Sequence, residues 1–323
     1  MKVLIIGAGV IGSIYGWALS EAGHNITHYV RSGKKDKLKD GINIDVADTR
    51  KGKKKRHIVN YAAISTEVLS PSDSYDLVII PVKQHQLIEL LSQIANKTGS
   101  ADYLIMTGNW HGTAEVDKIL PQSRYIWGDT TVGGTYKNGI LIAGIFSPVQ
   151  LGEINGENTE RLRKIAALFK SAGFKPEVPY NIIHAHWLQY ALNAAMWSNF
   201  AASDSLNKLL RDAKAIDNTL FSIKEAFDVC IKRGVDLNDY PELKTYYNTT
   251  PISRFFKRIM LRYVFTFNEV VKRTSIQHAL NGAEELDIIY RDIMKSSKEH
   301  NIPLPHLEIL KDKVEEFIKK HKN

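Results

Sequence analysis

The segment KVLIIGAGVIGSIYGWALSEAG, residues 2–23, decides the fold. It begins with a short, fully apolar run that is typical of a buried strand. After Gly7 and Gly9 it continues as a helix, IGSIYGWALSEAG, that Gly23 ends. NITHYVR, residues 25–31, alternates and is rich in β-formers, so it predicts a second strand. A strand, a glycine-rich turn, a helix and a strand in this order indicate a βαβ unit that binds a dinucleotide.

The glycines of this segment form the motif Gly7-x-Gly9-x-x-Gly12. Gly7 permits the tight turn, Gly9 lets the backbone approach a pyrophosphate, and Gly12 lets the helix and the strand pack closely. Val10 and Ile11 stand between the last two glycines, where the N-terminus of the helix attracts an anion. These five residues are therefore the predicted cofactor-binding turn.

The end of the second strand predicts which dinucleotide binds. A protein that binds NAD usually places Asp or Glu there, to hold the 2′-hydroxyl of the ribose. This chain has HYVRSGKK, residues 28–35, in which Arg31 stands at that position and no acid occurs before Asp36. The planar guanidinium of Arg31 suits a 2′-phosphate. The predicted cofactor is therefore NADP(H).

The rest of the chain divides into two regions with different sequence patterns. Helical stretches such as QHQLIELLSQIAN, residues 84–96, lie between further strand-like runs, and this alternation predicts an α/β fold with an N-terminal Rossmann-type, doubly wound and mostly parallel sheet. After GFKPEVPYN, residues 173–181, nearly every segment has a helical pattern. We therefore predict an NADP-binding Rossmann domain at residues 1–180 and an all-helical C-terminal domain, for substrate binding and dimerisation, at residues 181–323. The strand-like runs are YDLVIIPVK (75–83), DYLIMTGNW (102–110) and RYIWGDTTVGG (124–134).

Composition limits the other classes of function. Cys230 is the one cysteine in 323 residues, so no internal disulfide can form, which is typical of the cytoplasm. Much of the formal net charge of +8 lies in short runs such as RKGKKKR, residues 50–56, which predict solvated loops or attraction of an anionic ligand. No nucleic acid is expected, because aromatic residues are not interleaved with these runs. No metal site and no membrane or targeting segment are expected, since glycines interrupt the N-terminal apolar run.

The chain resembles the ketopantoate reductase (2-dehydropantoate 2-reductase) family nearly from end to end. The matching segments are IIGAGVIGSIYGWALSEAGHNITHYVR, VIIPVKQHQL, MTGNWHGTAEV, WLQYALNAA and EELDIIYRDIMKSSKEHNIPLP. The resemblance implies an enzyme of pantothenate biosynthesis that uses NADPH to reduce the ketone of an α-keto acid to a hydroxyl. It also implies a Rossmann domain followed by a helical domain, with the active site in the cleft, and it is compatible with a homodimer.

The resemblance assigns roles to several residues. Lys83 in PVK matches the family lysine that faces cofactor and substrate. Asn109 in TGNW matches the asparagine of a family Asn-Gly pair near the nicotinamide, although Trp110 replaces the glycine. Glu285 in EELD matches a substrate-site acid, and Ser275 matches a substrate-binding serine when a short gap is allowed. Ordinary surface positions are the alternatives for Lys83 and Glu285.

HWLQYALNAAMW, residues 186–197, predicts a packed helix that departs from the family. Gln189 and Asn193 lie four residues apart and point their amides from one face, and a buried amide is costly unless it is hydrogen-bonded. The family pattern here is Trp, then Lys two residues later, then Asn four residues after that, and often a second Asn. Trp187 and the predicted substrate-binding Asn193 match this pattern. Gln189 occupies the position of the general-acid lysine, and Trp197 that of the second asparagine.

A glutamine at the position of the family lysine changes which group can protonate the reduced ketone. Hydride transfer to a ketone builds negative charge on oxygen, and a positioned acid that protonates it is typically worth about 10² to 10⁴ in rate. Glutamine can polarise a carbonyl through a hydrogen bond, but it has no proton to give. His186 shares this helical face and has a suitable pKa, so it is a candidate acid, with Tyr190 and Lys83 as further candidates. The predicted catalytic residues are Gln189, Glu285, Lys83 and His186.

A second departure from the family is PISRFFKRIMLRYVFTFNEV, residues 251–270, which is unusually aromatic and basic. Its aromatic residues predict core or subunit-contact positions. The alternative is a bulkier substrate pocket, in which Arg258 or Arg262 pairs with a carboxylate. The aromatic residues concerned are Phe255, Phe256, Tyr263, Phe265 and Phe267.

Three functions stay open at the level of sequence. The first is an NADPH-dependent reductase of a small-molecule keto acid that need not be ketopantoate. The second is a catalytically weak NADP(H)-binding sensor protein, which the missing lysine motivates. The third is an opine-type dehydrogenase, which joins an amino acid to a keto acid by reducing an imine and relies less on that lysine.

Overall fold

The structure, a computed structural model, describes residues 1–276 and 282–321, and for Ser275 and Ile276 it describes the backbone alone. The chain divides into two compact units, Met1–Ile183 and His184–Asn323. The first unit contains strands and helices, and the second is helical wherever it has regular structure among the described residues. The predicted fold class, an N-terminal Rossmann-type sheet followed by an all-helical C-terminal region, is therefore confirmed.

Two sheets form the framework of the first unit. The larger has the order β12-β11-β8-β7-β6-β1-β2-β5, and the smaller has the order β4-β3-β10-β9. The helices of this unit are α1 Val10–Glu21, α2 Leu87–Ile94, α3 Ala114–Asp117 and α4 Glu160–Ser171. The strands are β1 Lys2–Ile6, β2 Asn25–Tyr29, β3 Ile42–Asp48, β4 Lys55–Tyr61, β5 Ser65–Thr66, β6 Leu77–Ile80, β7 Asp102–Ile105, β8 Tyr125–Asp129, β9 Val132–Lys137, β10 Ile140–Ile145, β11 Pro148–Gly152 and β12 Lys175–Glu177.

The centre of the larger sheet is parallel. β1 pairs in parallel with β2 on one side and with β6 on the other, and β6, β7 and β8 continue in parallel. From β1 the chain first continues to β2 on one side, and it later returns to β6 on the other side of β1. The carboxyl end of β1 is therefore a topological switch point. β11 pairs antiparallel with β8, whereas β12 pairs in parallel with β11 and β5 in parallel with β2. The sheet is therefore mostly parallel, as predicted.

The apolar run of β1 is buried on both faces. Val3, Leu4 and Ile5 are fully enclosed, and α1 packs against the sheet with every residue from Gly12 to Leu19 buried. A strand that is covered on both faces needs continuous rather than alternating apolar residues, which is why KVLII carries no polar residue after Lys2. This burial fixes the position of the glycine turn that follows β1.

The smaller sheet is not among the predicted elements. β3 and β4 form an antiparallel hairpin, and β10 pairs in parallel with β3. The lysine-rich run at residues 50–56 lies around the hairpin turn, where most of its side chains are exposed as predicted. Arg50 is the exception in this run, because it is buried and forms an ion pair of 2.8 Å with the buried carboxylate of Asp48. The basic residues of this run hide the alternation of apolar and polar residues in the two strands that it joins.

The second unit is built from helices that begin with α5, whose first two residues belong to the first unit. Within the described residues, no helix is long and apolar enough to cross a membrane. The helices are α5 Ile182–Ala202, α6 Leu206–Arg211, α7 Ala213–Lys232, α8 Pro241–Tyr247, α9 Pro251–Phe267, α10 Glu269–Val271, α11 Ala283–His300, α12 Pro305–Glu308 and α13 Lys311–His321.

A close contact inside the first unit gives a test of the packing. An added Cβ at Gly16 of α1 would lie 2.5 Å from Nε2 of His28 and 2.8 Å from the hydroxyl of Tyr61. We expect Gly16→Ala to lower the free energy of unfolding by about 1–2 kcal/mol, because overpacking outweighs the gain in helix propensity. Urea denaturation measures this change. The control Glu21→Ala, at an exposed position of the same helix, should change the free energy of unfolding by no more than about 0.5 kcal/mol. A free energy of unfolding that Gly16→Ala leaves unchanged would show that the helix can move away from His28 and Tyr61.

Candidate functional site

The predicted residues of the first unit lie at one edge of the larger sheet. Gly7 follows β1, Lys83 follows β6 by three residues, and Asn109 follows β7 by four. Because β1, β6 and β7 are neighbouring parallel strands, their carboxyl ends meet at the same edge. This edge is the crevice in which an open α/β sheet binds its ligand.

The glycine turn has the geometry that a pyrophosphate requires. Gly7 has a φ of +83°, and its amide donates to the carbonyl oxygen of Tyr29 at 2.8 Å. A Cβ at Gly12 would lie 2.8 Å from the carbonyl oxygen of Gly7, so only glycine permits this approach of helix to turn. A Cβ at Gly9 would meet no atom of the described residues within 4 Å, so the space in front of the turn is open.

The N-terminus of α1 supplies the donors for an anion in that open space. α1 begins at Val10 and Ile11, and its N-cap residue Gly9 has no side chain to cap their amides. The first amides of an α-helix have no partner within the helix, and the helix dipole favours negative charge there. The predicted cofactor-binding residues therefore fit a bound pyrophosphate.

A buried histidine, which no sequence pattern indicated, binds the backbone of this turn. Nδ1 of His28, on β2, lies 2.9 Å from the carbonyl oxygen of Gly7, and Nε2 lies 3.0 Å from the hydroxyl of Tyr61. A carbonyl only accepts hydrogen bonds, so Nδ1 must carry the proton that it donates. Burial lowers the pKa of His28. The neutral ring therefore donates to Gly7 and accepts from Tyr61.

Tyr136 of β9 also reaches the turn. Its hydroxyl donates to the carbonyl oxygen of Ala8 at 3.2 Å and lies 3.2 Å from Oγ of Ser13. The smaller sheet thereby contributes a side chain to the rim of the nucleotide site. Because β9 is distant from the glycine motif in sequence, local pattern could not reveal this contact.

The loop after β2 carries both signs of charge. The side chain of Arg31 is exposed, so a phosphate group could reach it from solvent. The carboxylate of Glu67 accepts hydrogen bonds from the amides of Lys34 and Lys35, at 3.1 and 3.0 Å. Glu67 arrives there because β5, which ends at Thr66, pairs in parallel with the end of β2. An acid does therefore lie at the end of β2, although none occurs there in the sequence.

Asn109 is buried and only half satisfied. Its Oδ1 accepts from the amide of Gly112 at 2.7 Å, but its Nδ2 has no hydrogen-bond partner among the described residues. A buried amide without a partner costs about 1–3 kcal/mol, so such a group at a crevice indicates a ligand that completes it. Trp110, the next residue along the chain, is also buried. Lys83 is exposed at the start of the short helical turn Gln84–Gln86.

In the second unit, the two amides of α5 bind each other. Nε2 of Gln189 donates to Oδ1 of Asn193 at 3.1 Å, across one helical turn. Both side chains are half-buried, and both line a cavity with Trp197. Trp187 lies on another side of α5, where its ring stacks on His184 and lies under the guanidinium of Arg233 at 3.7 Å. The four residues that the resemblance aligned thus do not share one face.

The candidate proton donors of α5 differ in their surroundings. The hydroxyl of Tyr190 donates to Asp292 at 2.6 Å. Burial, together with the charges of Asp292 and Glu285, raises the pKa of Tyr190, so this residue is unsuited to give up a proton near neutral pH. His186 is buried on the same helix and remains a candidate acid.

Glu285 belongs to the surroundings of α5. It is half-buried in the first turn of α11, and its charge contributes to the raised pKa of Tyr190, which shows that the two residues are near each other. The side chain of Ser275 lies outside the part of the chain that the structure describes. Burial raises the pKa of Cys230 to about 12, so its thiol is not a nucleophile.

The aromatic residues of α9 contradict the core half of their prediction, whereas their role in a subunit contact stays a prediction. Four of the five aromatic side chains are exposed, by between 57% and 69%, so they are not core residues. Only Phe265 is partly enclosed, and it lines the cavity beside Gln189. Arg258 pairs with Asp217, and Nε of Arg262 donates to the carbonyl oxygen of Leu210 at 2.7 Å. The two arginines are therefore engaged by the protein itself, which disfavours the alternative in which one of them pairs with a substrate carboxylate. The exposed aromatic residues are Phe255, Phe256, Tyr263 and Phe267.

The first unit gives the clearest comparison with known proteins. Residues 3–156 match the family model of ketopantoate reductase PanE/ApbA. The match spans both the glycine turn and Asn109, and the family suggested by the sequence is supported.

Similar proteins carry the same name. The 2-dehydropantoate 2-reductase of Pyrococcus abyssi is 25% identical over 87% of this chain and 89% of its own. That of Halobacterium salinarum is 21% identical over 97% of this chain and 98% of its own. These matches extend the likeness to the helical unit and support a reductase of the ketopantoate reductase family.

Solved structures show the same fold over the whole chain. A PanE/ApbA family ketopantoate reductase from Ralstonia eutropha has a TM-score of 0.70 and 19% identity, with all of both chains covered. A D-mandelate dehydrogenase in complex with NADH and anilino(oxo)acetate has a TM-score of 0.68 and 18% identity, again over all of both chains. One architecture therefore serves both kinds of enzyme.

His28 provides a pH-dependent test of the nucleotide site. Its pKa is lowered in the folded protein from about 6.5 in an unfolded chain, so the unfolded chain binds more protons below that pH. We expect the free energy of unfolding of the wild type, relative to His28→Gln, to fall as the pH drops below about 6.5, by at most about 1.4 kcal/mol per pH unit. Urea denaturation of both proteins between about pH 5 and about pH 8 measures this difference in the free energy of unfolding. A difference that does not change with pH would show that His28 titrates normally.

Proposed function

We propose that the protein is an NADPH-dependent reductase that converts the ketone of an α-keto acid to a hydroxyl. The observation that carries the proposal is the crevice at the carboxyl edge of the sheet. There an open glycine turn follows β1, and Asn109, whose Nδ2 has no hydrogen-bond partner among the described residues, follows β7, on the other side of β6. The family match of residues 3–156 and the names of the full-length relatives support a reductase. The D-mandelate dehydrogenase structure, which holds NADH, supports a nicotinamide cofactor.

The residues of the first unit would hold the cofactor, which supplies the hydride when bound. The amides at the glycine turn, with Val10 and Ile11, would bind its pyrophosphate. Arg31 would bind a 2′-phosphate through its planar fork. Nδ2 of Asn109 would donate to the cofactor or the substrate and would thereby gain the partner that it lacks among the described residues.

The residues of the second unit would hold and polarise the substrate. Gln189 and Asn193 would bind the carbonyl or carboxylate through their amides, and Glu285, with Ser275, would complete the polar contacts. Lys83 would place a positive charge at the developing oxyanion. His186 would give the proton that the family lysine gives elsewhere. Convergence of these groups from both units on one spot is required for hydride transfer, and it stays a prediction.

The two alternative functions are less favoured, because the similar proteins are named 2-dehydropantoate 2-reductase or D-mandelate dehydrogenase, and neither name is that of an amine-dependent enzyme or of a sensor. Oxidation of NADPH followed by absorbance, with a panel of α-keto acids, decides between them. A reductase consumes NADPH with a keto acid alone. An opine-type dehydrogenase needs an added amino acid, and a sensor binds NADPH without consuming it. A sensor result or a requirement for amine would contradict our proposal.

Partners and location remain proposals of the same kind. The single cysteine is buried and protonated, which suits a reducing cytoplasm. We propose a keto acid as the small-molecule partner and a homodimer as the assembly, without nucleic acid or membrane. The exposed aromatic face of α9 is suited to an interface, because exposed apolar patches of this kind often mark one.

Cofactor choice follows from the two charges at the end of β2. We expect Arg31→Glu to weaken NADPH binding about tenfold or more while NADH binding changes less than about threefold, because an acid repels the 2′-phosphate. Glu67→Gln should instead strengthen NADPH binding by about threefold, since its amide oxygen still accepts from the loop while the charge is removed. Titration of cofactor fluorescence measures both.

A control separates this local effect from net charge. Lys97→Glu makes the same change of charge as Arg31→Glu, but on an exposed side chain that precedes β7, at the amino edge of the sheet. It should leave both cofactor affinities unchanged. Equal binding of NADPH and NADH by the wild type would refute the assignment of NADP(H).

The substituted lysine gives a direct test of the chemistry. We expect Gln189→Lys to raise the rate of ketopantoate reduction by about tenfold, because it restores a proton donor, while Gln189→Met should not raise it. Crowding by Trp197 in the shared cavity limits the gain. His186→Ala should lower kcat for the true substrate by about tenfold or more and leave NADPH affinity unchanged. If neither variant changes the rate, proton delivery does not pass through this helix.

A further inference from the structure

The second unit contains a cavity of about 200 Å³ whose lining residues all belong to that unit. α5 forms one wall with Leu192, Met196 and Trp197, and α9 forms another with Leu261 and Phe265. Residues of α6 and α7 complete the lining, and they are again mostly apolar. The cavity is therefore suited to an apolar group rather than to water.

Polar atoms enter this cavity from the side of Gln189 and Asn193. The hydrogen bond between them uses Nε2 of Gln189 and Oδ1 of Asn193, so it leaves Oε1 and Nδ2 for other contacts. Thr219 also lines the cavity, but its hydroxyl donates to the carbonyl oxygen of Ala215 at 2.9 Å and so directs its hydrogen into its own helix. Among the lining residues, the amides of Gln189 and Asn193, one helical turn apart, are therefore the main groups suited to bind a polar part of a ligand.

The size of the cavity limits what fills it. A dry apolar cavity of about 150 Å³ in another protein binds benzene. A space of about 200 Å³ therefore accepts a phenyl or a branched alkyl group. Trp197 adds a large aromatic ring to the apolar wall.

We propose that this cavity holds the side chain of the substrate, and that the substrate is a 2-keto acid with a bulky apolar side chain, aromatic or branched aliphatic. The inference rests on the proposed function, since it concerns the substrate of that same reductase. The amides of Gln189 and Asn193 bind the polar keto acid end, while the side chain enters the apolar part. A methyl group leaves most of the cavity unfilled, and a side chain with a hydroxyl buries a polar group without a good partner.

A comparison of substrates tests the proposal first. With NADPH as reductant, kcat/KM is measured for pyruvate, ketopantoate, 4-methyl-2-oxopentanoate and phenylpyruvate. We expect the last two to exceed pyruvate and ketopantoate by about tenfold or more, because each additional buried methylene favours the larger substrate. Values for pyruvate or ketopantoate that equal or exceed those of the bulky substrates would overturn the proposal.

Variants of α9 then test the cavity itself. Leu261→Trp fills it, so kcat/KM for phenylpyruvate should fall about tenfold, mainly through KM, while pyruvate changes less than about threefold. The matched control Ile259→Trp changes an exposed position of the same helix and should alter neither substrate. Phe265→Leu enlarges the space and should favour phenylpyruvate over 4-methyl-2-oxopentanoate, which keeps the test valid if Leu261→Trp fails to fold.

Binding separates this inference from the proposed function. If no keto acid is reduced, the proposed function fails, and calorimetric titration with phenylpyruvate still tests the cavity. Binding by the wild type and Ile259→Trp, together with its loss in Leu261→Trp, would support an apolar-acid site. No binding by the wild type, or equal binding by all three proteins, would overturn it.

Discussion

The close approach of α1 to the end of β1 is the constraint on which the rest of the first unit depends. A Cβ at Gly12 would lie 2.8 Å from the carbonyl oxygen of Gly7 and 3.2 Å from Cγ2 of Ile5, so the helix can begin this near the strand only because Gly12 has no side chain. The approach points the uncapped amides of α1 across the carboxyl edge of the sheet. Lys83 and Asn109 reach that edge because β6 and β7 run parallel to β1.

Charge at the end of β2 is balanced rather than uniformly basic. Arg31 favours a phosphate, whereas Glu67 already presents a carboxylate to the amides of the same loop. A bound 2′-phosphate would gain from Arg31 and would be repelled by Glu67, so the proposed preference for NADPH would be a difference between two electrostatic effects. The choice of cofactor would then depend on a contact between β2 and β5 as much as on the basic sequence after β2.

Two side chains of α5 line the same cavity together with Asn193. Gln189 contributes a neutral amide to it, and Trp197 contributes an indole. A neutral amide has no proton to give, so a ketone bound at this helix would need another proton donor. Under our proposal, the neutral amide and the apolar wall belong to one site, which would favour a substrate with a larger apolar side chain.

The sequence determined the fold class, because the signals for it are local. The apolar run of β1, the spacing of the three glycines and the helical periods after residue 181 each act within one element, and the structure confirms the Rossmann-type sheet and the helical region. Gln189 and Asn193 could likewise be paired from their spacing on one helix. Side chains that act within a turn of their own position are within reach of such patterns.

Tertiary structure alone decided the features that depend on strand pairing and on packing between helices. Glu67 reaches the loop after β2 only through the register of β5, and His28 reaches Gly7 only because β1 and β2 are neighbours. The cavity beside Gln189 exists because α9 places Leu261 and Phe265 opposite α5 while its other aromatic residues stay exposed. Residues far apart in sequence meet through these contacts, and an amphipathic pattern shows that a helix has an apolar face without showing what that face contacts.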